Sequence, residues 1–276
     1  DGDGIPDGIE IYEYKTNPND PDTDDDHIDD GAERDWYEDH YCDPIGDPDN
    51  DELINILDND SDNDGVMDGD EILIYGSDPL VADSDGDGLP DGVEVSIGSS
   101  PVSSNSDDDF MGDLEEYMVG LNLTDNDTDD DGLADGVEEY ILLTNPADND
   151  TDGDGVLDGD EIRYLANPLL NDTDSDNISD YDEIYVYHTY PNMSDSDRDN
   201  VSDYLEIFGW TIIVDDNVSG VVSRTVYSNP LENDTDGDGV YDGVEKLCGA
   251  DPNMSDTDHD GLSDYQEIFG INVNST

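Results

Sequence analysis

A pattern of alternating acidic and polar positions, interrupted by one aliphatic residue, recurs along the whole chain. Its form is D-x-D-x-D-G-φ-x-D-x-x-E, where φ is an aliphatic residue or Met, and Asp150 to Glu161 is a complete copy. Each copy is followed by a short apolar segment, such as 137–143, and then by a turn containing proline, such as Pro146. Because proline stops a helix and favours an extended residue before it, each repeat is predicted to contain a loop, one or two helical turns and a closing turn.

The pattern predicts twelve repeats, most of them 22 or 23 residues apart. A looser copy, 47–58, directly precedes the copy at 60–71, and the first repeat lacks its opening residue. One 39-residue step contains two β-rich runs, 210–214 and 221–227, around a turn with Gly220, which predicts a β-hairpin. We therefore divide the chain into a repeat array over 1–208, a hairpin insertion over 209–230, and two further repeats over 231–276. Residues 267–273 echo 206–212 and predict the start of a second hairpin. The sequence both begins and stops inside a repeat, which we interpret as a piece of a longer protein.

Composition indicates that a cation must neutralise the chain before it can fold. There are 80 Asp and Glu residues against 6 Lys and Arg, a formal charge of -74, with only 33% hydrophobic residues. Such a chain repels itself and tends towards disorder. The sign of the charge excludes nucleic acid and anionic membrane surfaces as partners. No apolar run reaches the roughly 18–20 residues that a membrane span requires, so no membrane insertion is expected.

The spacing of the acids is typical of a calcium loop. Calcium takes six to eight oxygen ligands in flexible geometry, and side chains at loop positions 1, 3, 5, 9 and 12 with a carbonyl at position 7 can surround it. Position 6 turns sharply, which favours glycine. The cofactor predicted from these loops is Ca²⁺, with about one or more ions per repeat.

The predicted metal ligands are grouped by loop position. Position 1 is occupied by Asp22, Asp47, Asp60, Asp83, Asn105, Asp127, Asp150, Asp172, Asp195, Asp234 and Asp256. Position 3 is occupied by Asp1, Asp24, Asp49, Asp62, Asp85, Asp107, Asp129, Asp152, Asp174, Asp197, Asp236 and Asp258. Position 5 is occupied by Asp3, Asp26, Asp51, Asp64, Asp87, Asp109, Asp131, Asp154, Asp176, Asp199, Asp238 and Asp260. Position 9 is occupied by Asp7, Asp30, Asp68, Asp91, Asp113, Asp135, Asp158, Asp180, Asp203, Asp242 and Asp264. Position 12 is occupied by Glu10, Glu33, Asp58, Glu71, Glu94, Glu116, Glu138, Glu161, Glu183, Glu206, Glu245 and Glu267.

The residue at loop position 7 indicates how the loops pack together, and therefore which fold class they form. It is aliphatic or Met in all twelve repeats, so its carbonyl can face the ion while its side chain turns inward to neighbouring repeats. Each repeat is too small to bury a core alone, so bound metal supplies folding free energy. The predicted fold is an elongated, calcium-stapled tandem-repeat array of mostly irregular loops, with short helices and one β-hairpin.

Other metals and a non-specific acidic surface are the alternatives. Zinc and copper prefer His and Cys, and the four histidines are scattered. Magnesium keeps its waters and requires a tighter octahedron. A surface adapted to high salt would spread its acids, whereas 57 of the 80 occupy the five ligand positions. Adaptation to salt remains compatible as an addition to specific calcium loops.

The charge also bears on the number of ions. A charge of -74 over twelve repeats is about -6 each, so one Ca²⁺ leaves about -4 and two leave about -2. Repeats at -4 would repel one another strongly when stacked. We therefore hypothesise more than one ion per repeat, shared between neighbouring loops.

The motif and the residues after it resemble a known family. D-x-D-x-D-G-φ-x-D-G-x-E followed by T-N-P, as in 127–146, resembles thrombospondin type 3 repeats of bacterial and archaeal surface proteins, and the back-to-back pair 47–58 and 60–71 is similar to those of animal thrombospondins. The resemblance implies extracellular calcium-binding modules, often spacers or stalks, without enzymatic activity. Residues 195–212 are also similar to the calcium-binding segment of protective-antigen-type toxin components.

Further features suggest an exported protein. Twelve N-x-S/T sequons are candidate glycosylation sites: Asn59, Asn122, Asn126, Asn149, Asn171, Asn177, Asn192, Asn200, Asn217, Asn233, Asn253 and Asn274. Some of these sequons arise from the repeat pattern itself, because Asn149, Asn171 and Asn233 directly precede loop position 1. Cys42 and Cys248 are about nine repeats apart, so in a linear solenoid they cannot pair with each other. The tyrosines are expected to pack between repeats, and stacking on glycans is the alternative. Among them are Tyr12, Tyr75, Tyr117, Tyr140, Tyr185 and Tyr265.

These observations predict a non-enzymatic protein of the cell surface or extracellular space. No nucleophile–base arrangement stands out, and acids committed to a metal are poor proton carriers. The expected function is a calcium-dependent rigid spacer or filament subunit, which self-associates or joins neighbouring domains of a longer chain and carries or contacts glycans. The alternative is a calcium-dependent accessory or adhesion module of a larger secreted enzyme or toxin.

Overall fold

The computed structural model describes residues 2–270, which form two compact units. The first comprises Asp1–Thr128 with Ala134–Ala147, and the second comprises Asp129–Leu133 with Asp148–Thr276. Most of the chain is irregular, and short helices recur through it as the repeat pattern predicts. No helix among the described residues is long and apolar enough to cross a membrane.

Eleven helical segments begin at loop position 9, so the last four loop residues form the first helical turn. Seven are α-helices: Asp30–Asp39, Asp91–Ile97, Asp113–Val119, Asp158–Tyr164, Asp203–Phe208, Asp242–Cys248 and Asp264–Phe269. Four start as an α-turn and continue as a π-turn: Asp7–Ile9 with Glu10–Tyr14, Asp68–Asp70 with Glu71–Tyr75, Asp135–Val137 with Glu138–Leu142, and Asp180–Asp182 with Glu183–Tyr187. The loop that starts at Asp47 has only a 3₁₀ turn, Asn55–Leu57. Acids in the first turn suit the positive end of the helix dipole.

Many of these helices end at a residue in the left-handed conformation. Gly98 has φ 92° and donates its backbone N–H to the Glu94 carbonyl at 2.8 Å. Leu143 takes the same role at φ 63°, although it has a side chain. The predicted succession of loop, short helix and turn is confirmed.

The predicted hairpin is present in the second unit. Strands β1 (Trp210–Asp216) and β2 (Gly220–Val226) pair antiparallel, with Trp210 opposite Val226 and Asp216 opposite Gly220. One face buries Ile212, Val214 and Val226. Because β1 alternates between buried and exposed residues, its other face lies open to solvent. The second hairpin predicted from residue 270 onwards lies outside the described residues.

The hairpin contacts the loop that starts at Asp256. The Asn217 backbone N–H donates to the Asp258 carbonyl at 2.8 Å, and the Arg224 guanidinium donates to the Thr257 carbonyl at 2.9 Å. Arg224 also lies 3.5 Å from Asp251. The inserted hairpin therefore braces a repeat that follows it by more than thirty residues.

Apolar packing is sparse, and acids take much of the interior. The two apolar clusters among the described residues are Ile5, Tyr14 and Ile56 in the first unit, and the inner face of the hairpin. Ten of the twelve largest fully buried side chains are glutamates at loop position 12. At position 7, nine side chains are buried as predicted: Ile5, Ile28, Val66, Leu89, Met111, Val156, Ile178, Val201 and Val240.

Two predictions about packing need correction. Leu53, at position 7 of the Asp47 loop, is 45% exposed, because the Asp22 loop stacks directly on the Asp60 loop and passes the Asp47 loop by. Tyr14 and Tyr37 are buried, but most of the tyrosines do not form an interior between repeats: Tyr12, Tyr117, Tyr140, Tyr185 and Tyr265 are exposed. Position 7 and the buried glutamates already fill the space between loops, so these rings lie on the surface.

Candidate metal centres

The first half of each loop folds around its own carboxylates. In the Asp150 loop the N–H of Asp154 donates to Asp152 at 3.1 Å, and that of Gly155 donates to Asp150 at 3.0 Å. Gly155 has φ 100°, a left-handed conformation that glycine adopts without strain. These turns point the carboxylates at positions 1, 3 and 5 towards one centre.

Carboxylate oxygens converge within most of these loops. Donor atoms lie within 4.8 Å of one another in the groups Asp22, Asp24 and Asp26; Asp47, Asp49 and Asp51; Asp60, Asp62 and Asp64; and Asp83, Asp85 and Asp87. The ligands of the Asp127 loop are divided between the two units. Asp1 lies outside the described residues.

In six loops, position 12 supplies a buried glutamate with neither carboxylate oxygen hydrogen-bonded, whereas Glu71, Glu183 and Glu206 each accept one bond and Glu267 is exposed. Glu161 is wholly buried, and neither of its carboxylate oxygens has a hydrogen-bond partner among residues 2–270. The same holds for Glu10, Glu33, Glu94, Glu116 and Glu245. Buried polar groups are normally hydrogen-bonded, and a buried charge is normally paired or bound to a metal. The orphaned oxygens are the feature that a bound cation would complete.

The electrostatics of the site identify the missing partner as a cation. Burial, and then the neighbouring Asp152, Asp154, Asp158 and Asp180, raise the pKa of Glu161 to about 9. Burial and nearby aspartates likewise raise the pKa of Glu94 to about 8. With oxygen donors alone in these clusters, a hard divalent ion such as calcium matches the donor set. A cation there would supply the charge that lets the carboxylates ionise.

Successive loops are joined by one recurring hydrogen bond. The position-5 carboxylate of one loop accepts from the backbone N–H at position 10 of the next stacked loop, as in Asp131 with Gly159 at 3.0 Å. The other measured pairs are Asp64–Gly92, Asp87–Leu114, Asp109–Gly136, Asp154–Tyr181, Asp176–Tyr204, Asp199–Gly243 and Asp238–Tyr265. One carboxylate thus orders its own loop and fixes the next helix.

The residue at position 10 controls how closely the loops approach. The bond is 2.6–3.0 Å where that residue is glycine and 3.1–3.3 Å where it is Leu or Tyr. A Cβ on Gly159 would lie 2.3 Å from the Asp131 carbonyl oxygen. Larger residues therefore require the neighbouring loop to move outward.

Position 9 is shared between loops. Asp30, in the Asp22 loop, lies with Asp3 and Glu10 of the preceding loop, and their donor oxygens are within 4.8 Å of one another. Further along, Asp113 of the next repeat is among the charges that raise the pKa of Glu94. The position-9 aspartate therefore faces the preceding loop, a placement that the linear spacing alone did not predict.

Position 2 was missed by the sequence analysis. Its backbone N–H and hydroxyl donate to the two oxygens of the position-9 carboxylate, as Thr173 does to Asp180 at 2.9 and 2.6 Å. The backbone N–H bond is made by Thr23, Ser61, Ser84, Ser106, Thr128, Thr151, Thr173, Ser196, Thr235 and Thr257, and the hydroxyl bond by all of these except Ser61 and Ser84. The signal was available, since only Ser or Thr stands at this position in these ten loops.

The Asp47 loop departs from the others at three positions. Pro48 at position 2 has no N–H, Asn55 stands at position 9, and Asp58 replaces glutamate at position 12. Asn55 instead donates to the Asp43 carbonyl at 2.9 Å. Burial and the nearby aspartates raise the pKa of Asp58 to about 6, although the hydrogen bond from the Asp60 backbone N–H lowers it. This loop keeps its acidic cluster but has a different support.

The histidines and cysteines form no alternative centre in the described part of the chain. His27 lies 3.0 Å from Asp70, and His259 lies 3.4 Å from Asp216. Cys42 is half-buried and Cys248 is exposed, and both thiols are free.

Comparison with known proteins gives one match. No curated protein and no solved structure matches the chain. The family described as the bacterial TSP3 repeat matches residues 1–21, 60–82, 83–103, 127–149, 150–164, 234–255 and 256–269, together half of the chain. These segments contain seven of the twelve acidic loops, each with the helix that follows it. The acidic clusters and the repeat match together show that this chain belongs to the bacterial TSP3 repeat family and is a calcium-binding repeat protein.

Proposed function

We propose that the chain is an extracellular structural protein, a spacer or the subunit of a surface filament, whose fold depends on bound calcium. The observation that carries this proposal is the set of buried position-12 glutamates with unpartnered oxygens between hydrogen-bonded loops. With its interior made of carboxylates, each repeat needs an ion to remain folded. Extracellular calcium modules bind at roughly 10⁻⁴–10⁻³ M, which fits an environment outside the cell. Because these carboxylates would be bound to calcium, we expect them to have no catalytic role.

More than one ion per repeat follows from the shared position 9. One centre consists of positions 1, 3, 5 and 12 within a loop. A second consists of positions 5 and 12 with the position-9 aspartate of the next loop, as in Asp3, Glu10 and Asp30. Ions at the second centre would hold adjacent repeats together.

Equilibrium dialysis of the full chain against calcium tests this arrangement. We expect clearly more ions than loops, and saturation at one ion per loop or fewer would contradict the shared centres. Magnesium at the same concentration serves as the control and is expected to bind fewer sites.

Electron microscopy of the purified chain tests the filament role. Polymers that form in calcium and dissolve in a chelator would support a filament subunit. Separate particles under both conditions would leave the spacer role and remove the filament role.

Glycosylation is part of the proposal. All eleven sequon asparagines within residues 2–270 are exposed, so an attached glycan would meet no burial cost. Asn177 and Asn200 donate their side-chain amides to adjacent carbonyls and Asn253 donates its amide to the Tyr227 carbonyl, so these three are less available than the other eight. Intact mass of the protein from its native source decides this point, because a mass equal to that of the bare chain would contradict it.

The hairpin favours the alternative role as an adhesion or accessory module. Its open face exposes Ile213 and Val221 at 72% and 73%. Beside β1 lies a cavity of about 470 Å³, lined by Ile213, Asp215 and Cys248 together with residues of the Asp256 repeat. The test replaces Ile213 and Val221 by serine and measures binding of the chain to its partner protein or surface. Loss of that binding, with calcium binding unchanged, would support this role.

A further inference from the structure

Exposed apolar side chains recur at two positions of the repeat. If loop numbering is continued into the helix, positions 14 and 15 in the first unit include Leu73, Ile74, Met118, Val119, Tyr140 and Ile141. These six side chains are between 50% and 76% exposed. We call them the position-14/15 stripe. Exposed apolar patches beyond a few hundred Å² generally mark interaction sites.

The stripe carries no acidic residue. From Leu73 to Gly270, nine successive helices place no Asp or Glu at positions 14 and 15, although 80 of the 276 residues are acidic. Elsewhere the surface of each repeat is dominated by carboxylates. At these two positions another molecule would therefore meet no carboxylate.

Contacts between successive repeats set the spacing of the stripe. The position-5 to position-10 hydrogen bond places each helix in the same way on the preceding loop, as in Asp109 with Gly136 at 2.8 Å. Tyr140 contacts Glu115 of the preceding helix through its hydroxyl. Ile97, also at position 15, lines a groove of about 380 Å³ with Tyr117 and Leu121 of the next repeat. The apolar positions therefore recur on successive repeats at the spacing of the stacked loops.

We propose that the position-14/15 stripe of the first unit is the surface through which two copies of this chain associate in calcium. The inference rests on the proposed self-associating function and names its contact. Six side chains of this size and exposure offer on the order of 700 Å², close to the roughly 800 Å² per partner of a specific interface. A closed pair uses the same patch on both copies.

A second copy fits this surface better than a cationic partner does. Its own stripe has the same repeat spacing and also lacks acids, so several apolar side chains can meet at once, and Glu115 beside the stripe accepts a hydrogen bond from the Tyr140 hydroxyl. A basic peptide would find no opposite charge within the stripe. Chains at -74 repel each other, so association requires the calcium that lowers their charge.

Sedimentation equilibrium of the full chain at millimolar calcium tests the inference. The variant Ile74→Ser, Val119→Ser, Ile141→Ser removes one stripe residue from each of three repeats. The control Ile45→Ser, Val81→Ser, Val102→Ser changes aliphatic residues that are 44–50% exposed in the same unit and lie off the stripe. We expect the wild type and the control to form dimers within about threefold of each other in dissociation constant, and the stripe variant to be weakened at least about 100-fold.

Circular dichroism of each protein with and without calcium separates this inference from the proposed function. If calcium folds all three proteins and the stripe variant still dimerises as the wild type does, the inference is wrong while the calcium-dependent fold stands. A wild type that stays monomeric in calcium would also overturn it, since the stripe would then serve another partner. If calcium leaves the circular dichroism unchanged, the proposed function itself fails.

Discussion

At loop position 12 a glutamate occupies the place that a large apolar side chain takes in most small domains. Glu161 is wholly buried with both oxygens unpartnered among the described residues. Burying such a charge is unfavourable unless a cation accompanies it. Its value to the fold therefore depends on bound metal.

Substituting this glutamate should remove calcium without changing the shape of the side chain. We expect Glu161→Gln to weaken binding at its loop at least about tenfold, because a neutral amide cannot balance a divalent ion. Isothermal titration should show the loss of the tightest ions at that loop. Asp160→Asn, which changes the adjacent acid paired with Arg163, is the matched control and should bind as the wild type does.

The raised pKa values predict opposite pH responses with and without calcium. The folded pKa of Glu71 and of Glu161 is about 9, well above the ordinary value of 4.5. The folded chain without calcium thus holds protons that the unfolded chain has lost, so its stability is present near pH 4.5 and falls as pH rises towards 9. Calcium competes with those protons, so its affinity should rise over the same range.

Circular dichroism of decalcified protein checks the predicted fall in stability as pH rises. We expect more residual helix at about pH 5 than at about pH 8. Calcium titrations at both pH values check the predicted rise in calcium affinity. An affinity that does not change with pH would show that these carboxylates are already ionised in the folded chain.

Position 6 offers a test of backbone strain. Phe110 stands there with φ 82° and its ring 81% exposed, where seven of the other eleven loops have glycine. Phe110→Gly should stabilise the Asn105 loop by about 1 kcal/mol, because glycine adopts this conformation without strain. Phe110→Ala, which keeps the Cβ, should give little of that gain. Hydrogen exchange of the loop amides measures both.

At the scale of the element, the contact between one loop and the next helix decides which residues are tolerated. Position 10 needs a backbone N–H within reach of the preceding position-5 carboxylate, and glycine allows the shortest bond. Gly159 lies against the Asp131 carbonyl, whereas a Cβ on Gly8, at the same position of the first repeat, would meet nothing within 4 Å among the described residues.

These two glycines should respond in opposite ways to the same substitution. We expect Gly159→Ala to destabilise its repeat by about 2 kcal/mol, since the added methyl group clashes with backbone. Gly8→Ala should be neutral or stabilising by about 0.5–1 kcal/mol, because alanine favours the helix. Local hydrogen exchange in calcium measures both changes, and equal effects would contradict the close approach between loops.

Much of the element structure could be predicted from the sequence, and the failures have physical causes. The strict spacing of Asp and Glu predicted the loops, their helices and the hairpin. The spacing of residues along the sequence does not show which residues contact each other in the folded chain. It therefore missed that Asp30 faces the preceding loop and that Thr173 holds Asp180. Leu53 and the tyrosines were assigned to the interior because apolar residues usually lie there, whereas carboxylates already occupy it.

At the scale of the whole molecule, the interior is built for ions more than for apolar contact. The apolar clusters among residues 2–270 are few and small, while buried carboxylates recur in every stacked loop. A chain carrying -74 with such an interior has little to hold it together without cations. The central claim is that calcium takes the role of the missing core.

The measurement that tests this claim most directly is far-UV circular dichroism of the full chain during calcium depletion and return, with small-angle scattering on the same samples. At neutral pH we predict that removing calcium abolishes most of the helical signal and expands the chain, and that millimolar calcium restores both while magnesium does so poorly. A decalcified chain with unchanged circular dichroism and scattering would contradict the account.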